Sequence, residues 1–356
     1  MTDQQVRLTF KDGGWVLVMT GIVLLGVIVW ALAPAIFRLA DLPPGDNKNI
    51  ETYEFNLSEL QLERSTVVPS MRHRNMSPVV LEPQTVSPEE IQVLNNSKRD
   101  PLLVSKDLVV GVEINGESRA YPLHFLHVHE IVNDTLGGID IAVFWHWPSG
   151  HVAVFERMLN GTLAEFANSG LSGNGGMLFY PLSEIVGNET LYAALLEKSV
   201  TGNSEQLTPI PHSVVSWKVW HEQHPNTTSL APDAQMKKRY RKASPELYFR
   251  TEKIHFPANP MPDDRINPKT PVVSVRVGDS SKVFSLPAIL EHVGDEGTFS
   301  TIIGDVEIDI TAYATPLAVS VKRNDGIPVH TTRSLWFAWF ANHPETTVEP
   351  LDSLRH

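Results

Sequence analysis

One pattern occurs twice in this chain, and nothing else in the sequence restricts the fold as much. Trp217, Trp220, His224, Pro225, Thr227 and Thr228 recur at identical spacing as Trp336, Trp339, His343, Pro344, Thr346 and Thr347. The shared string is W-x-x-W-x-x-x-H-P-x-T-T. A spacing of three places both tryptophans on one face of a short helix, which the proline then stops. Ser216 and Ser334 stand at or beside the expected N-caps. Aromatic residues that recur at helical spacing read as core residues rather than as a platform for a sugar or a partner.

A second correspondence precedes the first. Residues 109–114 lead through Asn115-Gly116 into residues 118–123, and residues 272–277 lead through Gly278-Asp279 into residues 281–286. Each run alternates Val or Ile around a two-residue turn containing glycine, the pattern of a tight β-hairpin. Two correspondences in the same order predict two diverged copies of one αβ unit, packed with approximate two-fold symmetry. The expected class is α+β and strand-dominated. The first unit takes residues 101–230, a Pro-rich connector 231–270, and the second unit 271–350. Extra length in the first unit includes a Gly-rich run over 169–176, read as a flexible loop, and a helix over 189–198.

The stretch from residue 121 to 151 holds five of the fourteen histidines: His124, His127, His129, His146 and His151. Its counterpart in the second unit retains only His292. Chemistry is therefore expected in the first unit, with the second as its structural partner.

Ahead of both units, residues 15–37 run without a charge. At about 1.5 Å per residue such a helix spans roughly 30 Å of hydrocarbon. Trp15 and Trp30 lie towards its ends, where interfacial aromatics are favoured. The run exceeds the apolar core of a cleaved signal peptide, which favours an uncleaved transmembrane anchor; a cut after Ala35 stays open. Arg7 and Lys11 before the span balance Arg38 and Lys48 after it, so loop charge does not choose an orientation. A single N-terminal anchor ahead of a large body predicts a short cytoplasmic head (1–14) and a periplasmic or extracellular body. Residues 38–100, polar and dotted with proline, read as a tether with a few extended segments.

Composition narrows the partners. A formal charge of −12 and a pI near 5.6 argue against nucleic acid, which requires clustered Lys and Arg. The one basic run, residues 237–242, reads as a solvated loop. Absence of cysteine excludes disulfides, thiolate metal sites, iron–sulfur clusters and a thiol nucleophile. The expected partners are the membrane, through residues 15–37, and a membrane protein.

The strings Ala120-Tyr121-Pro122-Leu123 and His129-Glu130-Ile131-Val132-Asn133-Asp134 resemble those of a bacterial and archaeal family, domain of unknown function 3179 (DUF3179). Further matching signatures lie at residues 141–156, at Ser169-Gly170-Leu171, in the Trp and His-Pro helix, and at Phe256-Pro257, Asp264-Arg265 and Pro268-Lys269. The resemblance covers roughly residues 100–350. It implies export or membrane attachment, and no established activity. Many members carry Cys-Pro-Leu-Cys/Thr-Gly where this chain has His146-Trp147-Pro148-Ser149-Gly150. The resemblance thus puts His146 at the first cysteine and Ser149 at the second. Thiol chemistry cannot operate here, so the site has either changed ligand type or been abandoned.

Candidate chemistry follows from these residues. Metal binding, of copper or zinc, would use His129, His146 and His127, because imidazole replaces thiolate at such centres. On a strand His127 and His129 would share a face, and a Gly137-Gly138 turn would let His129 and His146 converge. Glu130 or Asp134 would complete or orient the set. No H-E-x-x-H string supports this, and the bland reading is histidines satisfied within the fold. Acid–base work by His129, Glu130 and Asp134 is disfavoured, because adjacent strand residues face apart, and a short helix over 123–133 would bring His129 near Asn133 but not near Glu130; Glu130, Asn133 and Asp134 then fix a turn or a helix end. Glu130, Asn133, Asp134 and His151 remain candidate binding residues. The Gly-rich run lacks the order of a phosphate loop, and no G-x-S-x-G elbow supports a serine nucleophile. Two functional classes stay open: a non-catalytic binding or accessory protein beside a membrane complex, and a metal-dependent or redox-accessory protein.

Overall fold

The computed structural model describes residues 14–40, 43–96, 101–183, 187–240 and 245–351. It comprises two compact units, an N-terminal one and a body that begins at Gly45. Helix α1 (Gly14–Ala40) includes Gly14–Ala33, a stretch long and apolar enough to cross a membrane or to serve as a signal sequence. Most of the expected head, and Arg241 and Lys242 of the basic run, lie outside the described residues.

The body is a strand-rich α+β structure. Its principal elements are β1 (Leu108–Ile114), β2 (Glu117–Pro122), α2 (Leu123–His129), β3 (Ile131–Leu136), β4 (Ile139–His146), β5 (His151–Glu156), β6 (Phe166–Gly173), β7 (Gly176–Pro181), β8 (Ser213–Ser216) and α3 (Trp217–Gln223). A second series follows: β9 (Pro271–Val277), β10 (Ser280–Ser285), α4 (Leu286–Val293), β11 (Thr298–Ile303), β12 (Val306–Ala314), β13 (Leu317–Arg323), β14 (His330–Leu335) and α5 (Trp336–Asn342). The eight-stranded sheet has the order β11-β12-β13-β8-β1-β2, extended by Thr228–Leu230 and Thr85–Val86. The seven-stranded sheet has the order β10-β9-β14-β5-β4-β3, extended by Val80–Leu81. Each sheet therefore draws three strands from either series. The seams are Val214↔Val319 in one and Arg333↔Val152 in the other.

Both hairpins expected from the sequence are present, β1–β2 and β9–β10. Asn115 and Gly116 turn the first with φ of 52° and 81°, both positive as a type I′ turn requires. The W-x-x-W-x-x-x-H-P-x-T-T string acquires a physical meaning in each place. The Trp220 indole donates to Thr227 Oγ1 at 2.9 Å, and the Trp339 indole to Thr346 Oγ1 at 3.0 Å. His224 stacks on Trp220 and His343 on Trp339, with ring centroids 3.9 Å and 4.2 Å apart. All four tryptophans are buried. Ser216 caps α3 by accepting from the Val219 amide, whereas Leu335, not Ser334, occupies the N-cap of α5 and makes no side-chain cap.

Three expectations need correction. The Gly-rich run is not a flexible loop but the buried hairpin β6–β7, turned by Asn174 and Gly175 at φ of 47° and 77°. A Cβ at Gly173 would stand 2.6 Å from Leu62 Cδ1, so glycine lets the layers close. Residues 189–198 form no α-helix; Tyr192–Ala193 and Lys198–Ser199 pair as short strands around the 3₁₀ turn Ala194–Leu196. Residues 191–195 are all buried, which leaves none of the exposed face that a surface helix keeps. Residues 45–96, read as a tether, belong to the body. Tyr53 is fully buried with its hydroxyl on the Met71 carbonyl, and Arg74 pairs with Glu189 at 2.7 Å inside the protein.

A five-stranded sheet (Val67–Pro69, β6, β7, Tyr192–Ala193, Lys198–Ser199) covers the outer face of β3, β4 and β5. Strand β4 is consequently buried on both sides. Ile141, Val143 and Trp145 enter one core, while Ala142 and Phe144 enter the other. That alternation decides where His146 points.

Candidate functional site

The residues of the string from His129 to Asp134 each tie two elements together. Helix α2 ends at His129, and Glu130 takes the left-handed φ of 59° that lets the chain turn directly into β3. Its carboxyl is 3% exposed and accepts from the Asn168 amide at 2.5 Å, and burial pushes its pKa up to about 8. Asn133 clamps the backbone of β6, donating to the Phe166 carbonyl at 2.9 Å and accepting from the Phe166 amide at 2.8 Å. Asp134 Oδ2 accepts from both Arg119, at 2.5 Å, and the Tyr121 hydroxyl, at 2.6 Å.

The three expected metal ligands have separate surroundings. His127 and His129 lie on helix α2, not on a strand, so two residues of separation turn them about 200° apart. His129 is held between the Pro78 carbonyl at 2.7 Å and the Tyr240 hydroxyl at 2.6 Å. His127 Nδ1 faces the Trp145 indole at 2.7 Å. His146, one residue on from Trp145 in β4, points to the opposite face, where its Nδ1 meets Ser149 Oγ at 2.7 Å. Among the described residues, no three His, Asp or Glu side chains gather as a metal ion would need. His151 pairs across from His146 in the ladder and is 1% exposed, with its Nδ1 unpartnered. Burial holds both imidazoles neutral, pulling each pKa down to about 3.

The other side of β4 opens on a cleft of about 740 Å³. Its walls come from both series: Leu123, His124 and His127 of α2, Trp145 of β4, Lys106–Leu108 at the start of β1, and Arg333–Leu335 of β14. Tyr240, Glu246, Phe249, Lys269 and Leu317 stand on the rim, with three prolines between them. Gly150 lies against Leu335 here; with φ of 61° and a Cβ site 3.0 Å from Leu335 Cγ, it is a position for glycine. Because an indole N–H can only donate, His127 Nδ1 accepts, and its remaining proton sits on Nε2. Burial, reinforced by His124, lowers the His127 pKa to about 4 and keeps the ring neutral. Arg333 is half-buried, and its one hydrogen bond among the described residues goes to the Leu317 carbonyl at 3.2 Å. Burial alone draws its pKa down to about 10.

A family model described as "Protein of unknown function (DUF3179)" matches residues 78–315, more than half of the chain. The chain belongs to this family. No curated protein and no solved structure matches it.

The DUF3179 match includes the signature string, β4 and most of the cleft wall, but ends before β14 and therefore before Arg333. Sequence alone pointed to His127 and, within a family signature, to Lys269, but not to Arg333 or Lys106. A signal for Arg333 was present: it stands three residues before Trp336, where Val214 stands three residues before Trp217. A partly buried network also went unseen, in which Glu197 accepts from Arg276 at 2.5 Å and pairs with His330 at 2.7 Å. Those two partners pull the Glu197 carboxyl down to about 2 against the opposing effect of burial. Glu197 is more than seventy residues from either partner in sequence, and no local motif joins them.

Proposed function

We propose that this DUF3179 protein is a non-catalytic binding component of a membrane assembly. Residues 15–37 anchor it, its body lies outside the cytoplasm, and its ligand enters the cleft beside α2. We further read the body as two diverged copies of one αβ unit about an approximate two-fold axis, a reading supported by the matching strand orders and tryptophan helices.

One observation carries the binding reading. The titratable side chains of the signature string hold the fold together, while His127 and Arg333 of the cleft wall keep unused hydrogen-bonding capacity. A roomy, largely apolar cleft with a few convergent polar groups is the usual form of a small-molecule site. The tests use the full-length chain. Because it has no cysteine, Asp279→Cys in the exposed β9–β10 turn provides a single reporter. A membrane-impermeant maleimide should label it in intact cells, and labelling only after lysis would overturn the orientation. Native mass spectrometry of protein from mildly extracted membranes should show a bound small molecule, displaced in Leu108→Trp, which narrows the cleft.

A further inference from the structure

We propose that the cleft selects an organic carboxylate with an apolar body, and that Arg333 is the residue that receives the carboxylate. This inference rests on the binding reading above and adds the chemical class of the ligand.

The argument is an account of donors and acceptors. A guanidinium carries five N–H donors, and Arg333 directs one hydrogen bond to Leu317, with no ion pair to a carboxylate among the described residues. Burial without a counter-charge is costly for a cation, as its lowered pKa registers. A carboxylate in the cleft would supply the missing charge and could accept in the bidentate geometry for which arginine is suited. His127 adds a neutral Nε2–H donor, fixed by Trp145 and without a partner among the described residues. Lys106, on the same wall, forms no hydrogen bond or ion pair among the described residues. Of the two acidic residues on the wall, Asp107 already has one carboxylate oxygen on the Val104 amide at 2.8 Å, and Glu246 pairs with Arg250 at 3.5 Å. The excess is therefore of donors, which an acceptor-rich anion satisfies and a cation does not.

Position within the fold supports the same conclusion. Arg333 sits at the seam where β14 meets β5, opposite Val152. The matching seam of the other sheet joins two valines, Val214 and Val319. Strand pairing of this kind is satisfied by apolar residues, so architecture alone does not require a cation here. The remaining wall, with Leu108, Leu123, Trp145 and Leu335, calls for an apolar body beside the charge.

The experiment is calorimetric titration of the full-length protein in lipid nanodiscs, with empty nanodiscs as the blank. The probes are naphthalene-2-carboxylate and its neutral isostere 2-naphthamide. The expected result is that the carboxylate binds at least tenfold more tightly, and that Arg333→Gln weakens the carboxylate about tenfold to a hundredfold while leaving the amide within a factor of three, the range for a charge-assisted hydrogen bond. Equal binding of the two probes would overturn the anion inference and leave the cleft reading standing. Binding of neither would remove the cleft reading itself. Should Arg333→Gln fail to fold, Arg333→Lys serves in its place, keeping the charge but not the bidentate fork, with an expected several-fold loss for the carboxylate alone; unchanged selectivity in a folded Arg333 variant overturns the assignment.

Discussion

The indole N–H of Trp145 donates to Nδ1 of His127 at 2.7 Å, and that one bond settles which nitrogen of the imidazole carries the proton. Trp145 comes from β4 and His127 from α2, so the bond also locks the helix onto the strand. Trp145→Phe should release the tautomer. In ¹⁵N-histidine-labelled protein, the His127 nitrogen shifts should move from a pure Nε2–H pattern towards a mixture of tautomers. Stability should fall by about 1–2 kcal/mol for a lost buried hydrogen bond and a trimmed aromatic. An unchanged nitrogen pattern would mean that something other than the indole sets the tautomer.

Asp134 is 6% exposed and accepts from Arg119 and Tyr121, which join β3 to β2. Removing one member of such a buried pair leaves the other without compensation. Asp134→Ala should therefore cost about 3–5 kcal/mol, measured by urea denaturation, while Arg119→Met combined with Asp134→Leu should cost clearly less than that. Equal losses in the single and double variants would show that the pair matters through shape rather than charge.

How much of this was legible beforehand depended on whether the signal was local. The two hairpins announced themselves through valine alternation around Asn115-Gly116 and Gly278-Asp279, because turn geometry is set by adjacent residues. The tryptophan helices were legible for the same reason. Asn174-Gly175 carried an equal hairpin signal, yet the surrounding glycines and serines masked it, since between Phe166 and Leu171 the burial of β6 comes from contacts with distant layers. The expected ligands His127, His129 and His146 do not come together among the described residues, because 123–129 is the helix that the sequence left open beside a strand, and because strand alternation sends Trp145 and His146 to opposite faces. Arg333 needed the tertiary structure, since its meaning lies in what surrounds it and not in its neighbours along the chain.

Glu130 gives a pH dependence of unusual sign for a carboxylate. Its pKa rises from about 4.5 unfolded to about 8 folded, so between those values the native state holds a proton that the unfolded state has released. Its contribution to stability is complete below about pH 4.5 and is lost as pH rises through about 8. Glu130→Gln, which keeps the hydrogen-bonding shape without the proton, should flatten the decline of stability between pH 6 and 8.5 and make the variant more stable than the parent at pH 8.5. A variant less stable than the parent at every pH would mean that the carboxyl is ionised in the fold.

The buried histidines act in the other direction. His146 and His151 fall to about 3, and His127 and His212 to about 4, all through burial. Unfolded, each would take up its proton near 6.5, so below that value the unfolded state binds more protons than the native one. Stability from these groups is complete above about pH 6.5 and is lost as pH falls towards 3, at up to about 1.4 kcal/mol per pH unit for each fully differential proton. Glu197, at about 2, extends the loss below about pH 4.5. Four imidazoles outweigh the one opposing carboxyl, so stability should peak near pH 6.5 and drop steeply on the acid side. The measurement is urea denaturation of the full-length protein in detergent at steps from pH 8 to 4.5. His151→Leu, at a site where Nδ1 has no partner to lose, should make the acid limb shallower by about one proton. A limb as steep as the parent's would show that His151 is not held neutral in the fold.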